Sequence, residues 1–253
     1  MTTLIEQIGK VTRFAIRTVV DFLRPPFEWD QIKRQIADIG AGSLPLVIAS
    51  GFALGAVITL HTRSTLVMFG ATAMIPAVQS VGFFVEVGPL VTALLVAGRA
   101  GSAIGAVLAE MRATEQIDAI EALSTDPFKL LVVPRVVACV IALPILTLAM
   151  DFSGLLGGYL AEYYVSRISF QLYVVRAFAN LGWVNFFLPT LKTTVFGFII
   201  GAVSSYFGFT TNQGAQGVGR ASTSSVVISS LLIILADVVL IKCIFIAFPD
   251  NAL

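Results

Sequence analysis

The chain has 253 residues, of which 57% are hydrophobic and only 12% are charged, with 16 Lys and Arg against 15 Asp and Glu. Soluble domains contain about 25% charged residues, so this composition excludes an ordinary soluble protein and indicates an integral membrane protein. The formal net charge of +1 excludes a nucleic-acid-binding role, because binding a polyanion requires a basic surface.

The N-terminal segment, residues 1–38, carries charges throughout and has no compact apolar stretch before a cleavage site. We therefore expect no signal peptide and a cytoplasmic N-terminus. Apolar residues recur at three- and four-residue spacing over residues 4–22 and again over residues 29–39, with a break at Pro25–Pro26. This pattern predicts an amphipathic helix that lies on the membrane. A soluble helix that binds a partner is the alternative.

Residues 39–253 are predicted to form the transmembrane domain. About 20 apolar residues cross a bilayer as a helix. Barrel strands are excluded, because the uncharged runs here are too long and do not alternate between apolar and polar residues. The run at residues 64–98 contains only Glu86 as a charged residue and is too long for one span, so a turn is predicted near Pro76–Ser80. A proline after Asp126 is typical of a helix start.

These features predict an all-α protein with five transmembrane helices. The spans are expected at about residues 42–67, 82–110, 127–163, 184–210 and 222–248. Dividing residues 64–98 differently would give six spans. With the N-terminus inside, the inner side carries all but five of the 16 basic residues, the five being Arg63, Arg167, Arg176, Lys192 and Lys242. Because positive charge favours the cytoplasmic side, five spans then place the C-terminus outside.

Small residues four positions apart recur along the spans and allow helices to approach closely in lipid. One such pair lies in each of the first four spans: Gly51 and Gly55, Gly101 and Gly105, Gly154 and Gly158, and Gly197 and Gly201. The recurrence predicts a compact helical bundle with contacts between subunits.

Four ionisable residues are expected to lie within the membrane, away from the ends of the spans, namely Glu86, Asp151, Lys192 and Asp237. Each costs a few kcal/mol at the bilayer centre, so such residues face protein or water. Glu86 and Val87 are followed by Gly88 and Pro89, which loosen the helix where it could line a cavity. A structural ion pair is the alternative role for Glu86. For Asp151 and Asp237, a hydrogen bond or a pair with Lys192 is as plausible as a role in transport.

The loop between spans two and three is predicted to contain a short amphipathic helix at about residues 115–123. Acidic residues on one side alternate with isoleucine and leucine on another. A helix fixed between two spans is suited to docking a soluble partner, with a solvated loop as the alternative. The residues expected to couple to that partner are Arg112, Glu115, Gln116, Ile117, Asp118, Ile120 and Glu121.

No nucleotide-binding GxxxxGK[ST] motif occurs, so we do not expect this chain to bind ATP itself. His61 is the only histidine, which removes the HExxH type of zinc site. We therefore expect no metal and no catalytic residues in this chain.

Six motifs between about residues 40 and 248 carry a family resemblance: Glu86-Val-Gly-Pro89, Ala97-Gly-Arg-Ala-Gly-Ser102, Met111-Arg-Ala-Thr-Glu-Gln-Ile-Asp118, Asp126-Pro127, Pro134-Arg135 and Gly217-Val-Gly-Arg-Ala-Ser-Thr223. They closely resemble the MlaE/YrbE permeases of MCE-type ABC lipid transporters. Members of that family commonly carry a basic residue before the glutamate of Glu-x-Gly-Pro, where this chain has Val85.

The resemblance implies a homodimeric permease of the inner membrane that moves phospholipids or related lipids between that membrane and a periplasmic MCE-domain hexamer. Two cytoplasmic ATPase subunits would bind ATP and Mg²⁺, and a small STAS-domain protein often joins such complexes. The chain would then be a transport subunit rather than an enzyme. We accordingly expect Glu86, Val87, Gly88 and Pro89 on the lipid path, and the ATPase as the partner that the coupling residues named above contact. The alternative is a passive channel or scaffold without ATP coupling.

Overall fold

The structure is a computed structural model that describes residues 2–25, 28–179, 181–211 and 214–248. Within these ranges the chain is helical and contains no strand. The helices are α1 (Thr2–Phe22), α2 (Trp29–Met68), α3 (Thr72–Ala113), α4 (Gln116–Ala122), α5 (Phe128–Ser166), α6 (Phe170–Phe178), α7 (Trp183–Phe209) and α8 (Gly214–Ala247).

Five helices of the described chain, α2, α3, α5, α7 and α8, are long and apolar enough to cross a membrane. The shortest is α7, with 27 residues. At the rise of an α-helix it extends about 40 Å, which exceeds the roughly 30 Å hydrocarbon core. The predicted all-α class with about five spans is confirmed.

The turn between the first two spans differs from the prediction, which placed it near Pro76–Ser80. Helix α2 ends at Met68, and the chain reverses at Gly70, whose φ is +66°. Glycine enters this left-handed region without the steric cost that a Cβ brings. Pro76 lies instead in the first α-helical turn of α3, where a missing N–H breaks no hydrogen bond.

The N-terminal region also differs from the prediction in one respect. Helix α1 ends at Phe22, before Pro25, as the sequence indicates. The apolar stripe at residues 29–39, however, is the first part of α2, which continues unbroken into the first span. The predicted boundary between residues 38 and 39 therefore falls inside a helix. Glycines 40 and 42 do not end it, because an interior glycine costs only about 1 kcal/mol relative to alanine.

The chain divides into two units. Unit 1 comprises Met1–Ser43, Ala93–Leu143 and Thr194–Leu235. Its described core contains Phe128, Val132, Val133 and Val136, all at the start of α5. Helix α1 packs on this core through Phe14, whose ring lies edge-on to Phe128 at a centroid distance of 4.8 Å. The apolar face of α1 is thus partly covered by protein.

Unit 2 comprises Leu44–Thr92, Pro144–Thr193 and Ala236–Leu253. Its core includes Phe84, Leu155 and Tyr173, and short helix α6 packs against the start of α3. Tyr173 Oη donates a hydrogen bond to Gln79 Oε1 at 2.6 Å. Ser80 Oγ donates to the carbonyl oxygen of Ala177. These polar contacts hold α6, which follows span three in the chain, against the start of α3.

Each glycine of the four GxxxG pairs lies against another helix of the same chain, where a Cβ would press on a neighbouring atom. In unit 2, Gly55 lies on the backbone of Gly154. In unit 1, Gly105 lies on the Ser225 side chain, and Gly201 lies on Val136. The glycine pattern thus accounts for close packing within the chain. It does not identify a subunit interface, and the predicted subunit contacts stay a prediction.

Candidate functional site: an ion-pair triad in the membrane

Glu86 lies in a π-helical turn of α3, Phe83–Val87. The ring of Pro89 leaves no N–H for the usual bond to the carbonyl of Val85, and a widened turn accommodates that loss. Val85, Gly88 and Pro89 are buried, whereas Glu86 and Val87 are half-buried. The Gly-Pro pair therefore coincides with a local irregularity of the helix, and such turns are frequent at functional sites.

Three of the four ionisable residues that we expected within the membrane form one cluster, here called the ion-pair triad. Lys192 Nζ of α7 donates a hydrogen bond to Glu86 Oε2 of α3 at 2.9 Å. The same nitrogen lies 2.8 Å from Oδ1 of Asp237 in α8. The triad therefore connects three helices within unit 2.

Exposure differs sharply within the triad. The side chains of Lys192 and Asp237 are 2% and 4% exposed, and that of Glu86 is 39% exposed. One ammonium group faces two carboxylates, so the ionised triad carries an excess negative charge. Removing one partner of a buried pair costs about 3–5 kcal/mol, because the other charge is left uncompensated. Lys192 and Asp237 are thus the buried members of the triad, and Glu86 is the member that a ligand can reach.

A second candidate site surrounds α4, the helix predicted between spans two and three. The residues flanking it, Glu115 and Ser124, both have positive φ, so the chain turns sharply at each end. Ile117 is 1% exposed and anchors the helix. Glu115, Gln116, Asp118 and Glu121 are exposed, and Ile120 is half-buried. An acidic outer face and a buried inner face result.

A cleft of about 360 Å³ lies beside α4 in unit 1. Its charged lining includes Arg17, Arg112, Glu121 and Asp126, and its apolar lining includes Phe128. Arg112, which we expect to couple to a partner, also forms an ion pair within the chain, with its Nη1 2.6 Å from Asp118 Oδ1. The arrangement presents acids and a cleft on one surface.

Comparison with known proteins places this architecture in a family. The family model described as "Permease MlaE" matches residues 32–243. The chain belongs to the MlaE permease family. An MlaE-family permease is a transport subunit rather than a catalytic enzyme, and the five apolar helices agree with a multi-pass membrane protein.

Several relatives extend over most of this permease. A "Probable ABC transporter permease protein" of Rickettsia felis is 40% identical over 240 residues, covering 95% of this chain and 93% of the relative. A Synechocystis protein named "Probable ABC transporter permease protein slr1045" is 38% identical over 221 residues, covering 87% and 83%. The Arabidopsis thaliana protein "TRIGALACTOSYLDIACYLGLYCEROL 1, chloroplastic" is 33% identical over 235 residues, covering 93% and 67%.

Asp151 lies outside the triad of this MlaE-family permease. Its side chain is fully buried, and neither carboxylate oxygen has a hydrogen-bond partner among the described residues. It lies against the Cα of Gly88, where a Cβ would overlap Oδ1. Of the two carboxylates considered as partners for Lys192, the structure pairs Asp237 and leaves Asp151 apart.

Sequence reasoning missed two buried polar contacts of the permease. Arg63 Nη1 lies 2.5 Å from Glu162 Oε1, and Glu162 is only 4% exposed. Burial, reinforced by the charge of Glu162, raises the pKa of Tyr173, so its hydroxyl stays protonated and donates to Gln79. Arg63 and Glu162 lie at the ends of apolar runs, where charges are expected. No sequence signal therefore distinguished them from solvated residues.

Proposed function

We propose that this permease moves phospholipids or related lipids between the inner membrane and an MCE-domain hexamer on the periplasmic side. A cytoplasmic ATPase dimer would bind ATP and Mg²⁺ and drive the movement. The N-terminus would then lie in the cytoplasm and the C-terminus in the periplasm, as the distribution of Lys and Arg favours. Membership of the MlaE family supports the transport role.

The lipid proposal rests on the partly exposed carboxylate of Glu86, which lies beside the buried ion pair of Lys192 and Asp237. A carboxylate held within a membrane helix is costly unless it faces water or a polar ligand. The triad supplies an anchored negative charge that suits the ammonium group of a zwitterionic lipid headgroup. Glu86 would thus contact headgroups, while Val87, Gly88 and Pro89 shape the same stretch of the path.

Helix α4 is the proposed docking element for the ATPase. Glu115 and Glu121 are exposed and available to basic groups of a partner, and Leu123 is 79% exposed beside them. The buried Ile117 would transmit movement of α4 to the spans that it joins. The cleft beside α4 would receive a side chain of the ATPase, and a STAS-domain protein would bind elsewhere on the cytoplasmic side.

We also propose a homodimer around one lipid cavity, because five helices from one chain enclose little volume. Helix α8 offers an apolar face for this contact, because Leu231, Leu235, Val238 and Val239 are exposed along it and would otherwise face lipid. Crosslinking in membranes that contain the ATPase and MCE subunits is expected to trap dimers. Recovery of monomers alone would contradict the dimer.

The deciding experiment for transport is lipid transfer in a reconstituted system. Liposomes containing the permease, its ATPase and labelled phospholipid are mixed with the soluble MCE partner, with or without ATP. Transfer that requires both ATP and the ATPase supports the proposal. Equal transfer without the ATPase favours the passive channel, and a complex that never captures the ATPase favours the scaffold.

A further inference from the structure

A cavity of about 450 Å³ in unit 1 lies among α2, α3 and α5. One part of its lining is apolar and includes Ile39, Ala103, Ile104 and Val107. The other part contains two guanidinium groups, from Arg99 and Arg135, together with Gln35 and Asp38. The cavity is therefore amphipathic, with its cationic groups next to apolar side chains.

Arg99 is held in place by its neighbours but is not neutralised. It lies in a second π-helical turn of α3, Ala97–Gly101. Its Nη1 donates to the carbonyl oxygen of Asp38 at 3.3 Å and to Ser43 Oγ at 3.0 Å. The guanidinium group lies against Gly42, where a Cβ would overlap it in its present position. Among the described residues, no carboxylate forms an ion pair with Arg99.

Arg135 is likewise held by a hydrogen bond to the backbone while its positive charge is not paired with a carboxylate of the described residues. It follows the π-helical turn Phe128–Val132 at the start of α5, and its Nη1 donates to the carbonyl oxygen of Leu131 at 2.6 Å. It is half-buried, and the described part of the chain supplies no carboxylate in ion-pair contact with it. A guanidinium group has five N–H donors, so each arginine retains donors for a ligand.

We propose that this cavity binds a phosphate group, with Arg99 and Arg135 as its ligands. Guanidinium groups match phosphate oxygens in geometry as well as in charge, because two parallel N–H donors meet two oxygens. Asp38 also lines the cavity, and two arginines with one aspartate give the lining a net positive charge, which suits a single phosphate group. The apolar lining fits a glycerophospholipid, whose headgroup phosphate adjoins its hydrocarbon chains. None of these residues belongs to the triad, and the proposal does not depend on lipid transport.

The test measures lipid binding to the full chain in detergent by native mass spectrometry, with phosphatidylglycerol as the probe. Diacylglycerol, which has the hydrocarbon chains but no phosphate, is the matched ligand control. The double variant Arg99→Gln/Arg135→Gln is expected to bind phosphatidylglycerol at least about tenfold more weakly, because charge-assisted hydrogen bonds are lost. Arg34→Gln removes an exposed arginine of α2 that does not line the cavity, and it is expected to bind as the parent does.

A second variant perturbs the cavity without changing its charge. Ala103 lines the apolar part, and Ala103→Phe would fill it and exclude the ligand. This variant is expected to weaken phosphatidylglycerol binding as well, and it decides the question if the double arginine variant does not fold. Elution as a single species from a sizing column shows which variants are folded.

Competition identifies the source of the phosphate. If phosphatidylglycerol binding depends on the two arginines and persists in excess inorganic phosphate, the ligand is a lipid headgroup. If inorganic phosphate displaces the lipid in an arginine-dependent manner, the site serves a soluble phosphate. Unchanged phosphatidylglycerol binding in a folded double variant, or in folded Ala103→Phe, would overturn the proposal, as would equally strong binding of diacylglycerol.

Discussion

Lys192 Nζ lies 2.8 Å from Asp237 Oδ1, and both side chains are almost fully buried, at 2% and 4% exposed. The pair neutralises itself at membrane depth, so the further carboxylate of Glu86 is not required to compensate Lys192. A purely structural ion pair needs only Lys192 and Asp237. The additional, partly exposed carboxylate of Glu86 is the group that would contact a lipid headgroup.

The first prediction concerns Lys192→Met, which keeps a long side chain but removes the charge. The buried Asp237 then faces Glu86 without a cation, and the free energy of unfolding is expected to fall by about 3–5 kcal/mol. The midpoint of thermal unfolding in detergent measures this loss. Lys242→Met, at an exposed position of α8, is the matched control and should leave the midpoint unchanged. Equal stability of Lys192→Met and the parent would show that the ion pair does not stabilise the fold.

The second prediction separates the proposed role of Glu86 from a structural one. Glu86→Gln preserves shape and removes the charge, while Glu86→Arg places a cation beside Lys192. Lipid transfer per folded complex is expected to fall moderately in Glu86→Gln and to be nearly lost in Glu86→Arg. Asp30→Asn, at an exposed acid of α2, serves as the control.

Two results would contradict a role of Glu86 in the lipid path. In the first, both variants transfer lipid as the parent does. In the second, Glu86→Gln lowers the yield of folded protein while each remaining complex transfers lipid normally. The latter outcome would assign Glu86 to stability alone.

The presence of about five spanning helices could be predicted from the sequence, because a long uncharged apolar run crosses a bilayer as a helix. The charges of Glu86, Asp151, Lys192 and Asp237 were also visible, since an ionisable residue inside such a run stands out, whereas the buried Glu162 at the end of a run did not. Their pairing was not visible. Lys192 contacts Asp237 rather than Asp151 because of how α7 and α8 are rotated and packed. Both helices are largely apolar on every face, so the sequence does not indicate their rotation.

Local backbone geometry was equally hidden. The turn at Gly70 was misplaced because Pro76 is the stronger sequence signal, although proline is well tolerated in the first turn of a helix. The π-helical turns at Glu86 and Arg99 leave no composition signature beyond nearby glycine and proline. Helix α6 was missed because its nine residues lie between two much longer apolar runs.

The third prediction tests the close contact between Gly88 and Asp151. A Cβ at residue 88 would overlap Oδ1 of Asp151, so Gly88→Ala is expected to destabilise the protein by about 1–3 kcal/mol. Gly82→Ala is the matched control in the same helix, because the space beside Gly82 is open. The double variant Gly88→Ala/Asp151→Ala removes the overlapping atom and should recover part of the loss, as a double-mutant cycle would measure. Strictly additive effects would mean that the two residues do not interact.

The last prediction concerns the coupling role of α4. Glu115 precedes the helix and is exposed, with no ion pair among the described residues, so Glu115→Lys reverses a charge without breaking a contact inside the chain. Like charges brought together at an interface cost several kcal/mol, and the variant is expected to weaken ATPase assembly or lower lipid-dependent ATP hydrolysis. Asp118→Lys should act more strongly, because it also breaks the pair with Arg112.

Asp30→Lys controls for the change in net charge. Copurification of the ATPase and the rate of ATP hydrolysis are measured on the same samples. A lower rate in a fully assembled complex would show that coupling, rather than assembly, is impaired. If Glu115→Lys and Asp118→Lys both assemble and turn over as the parent does, α4 is not the docking element.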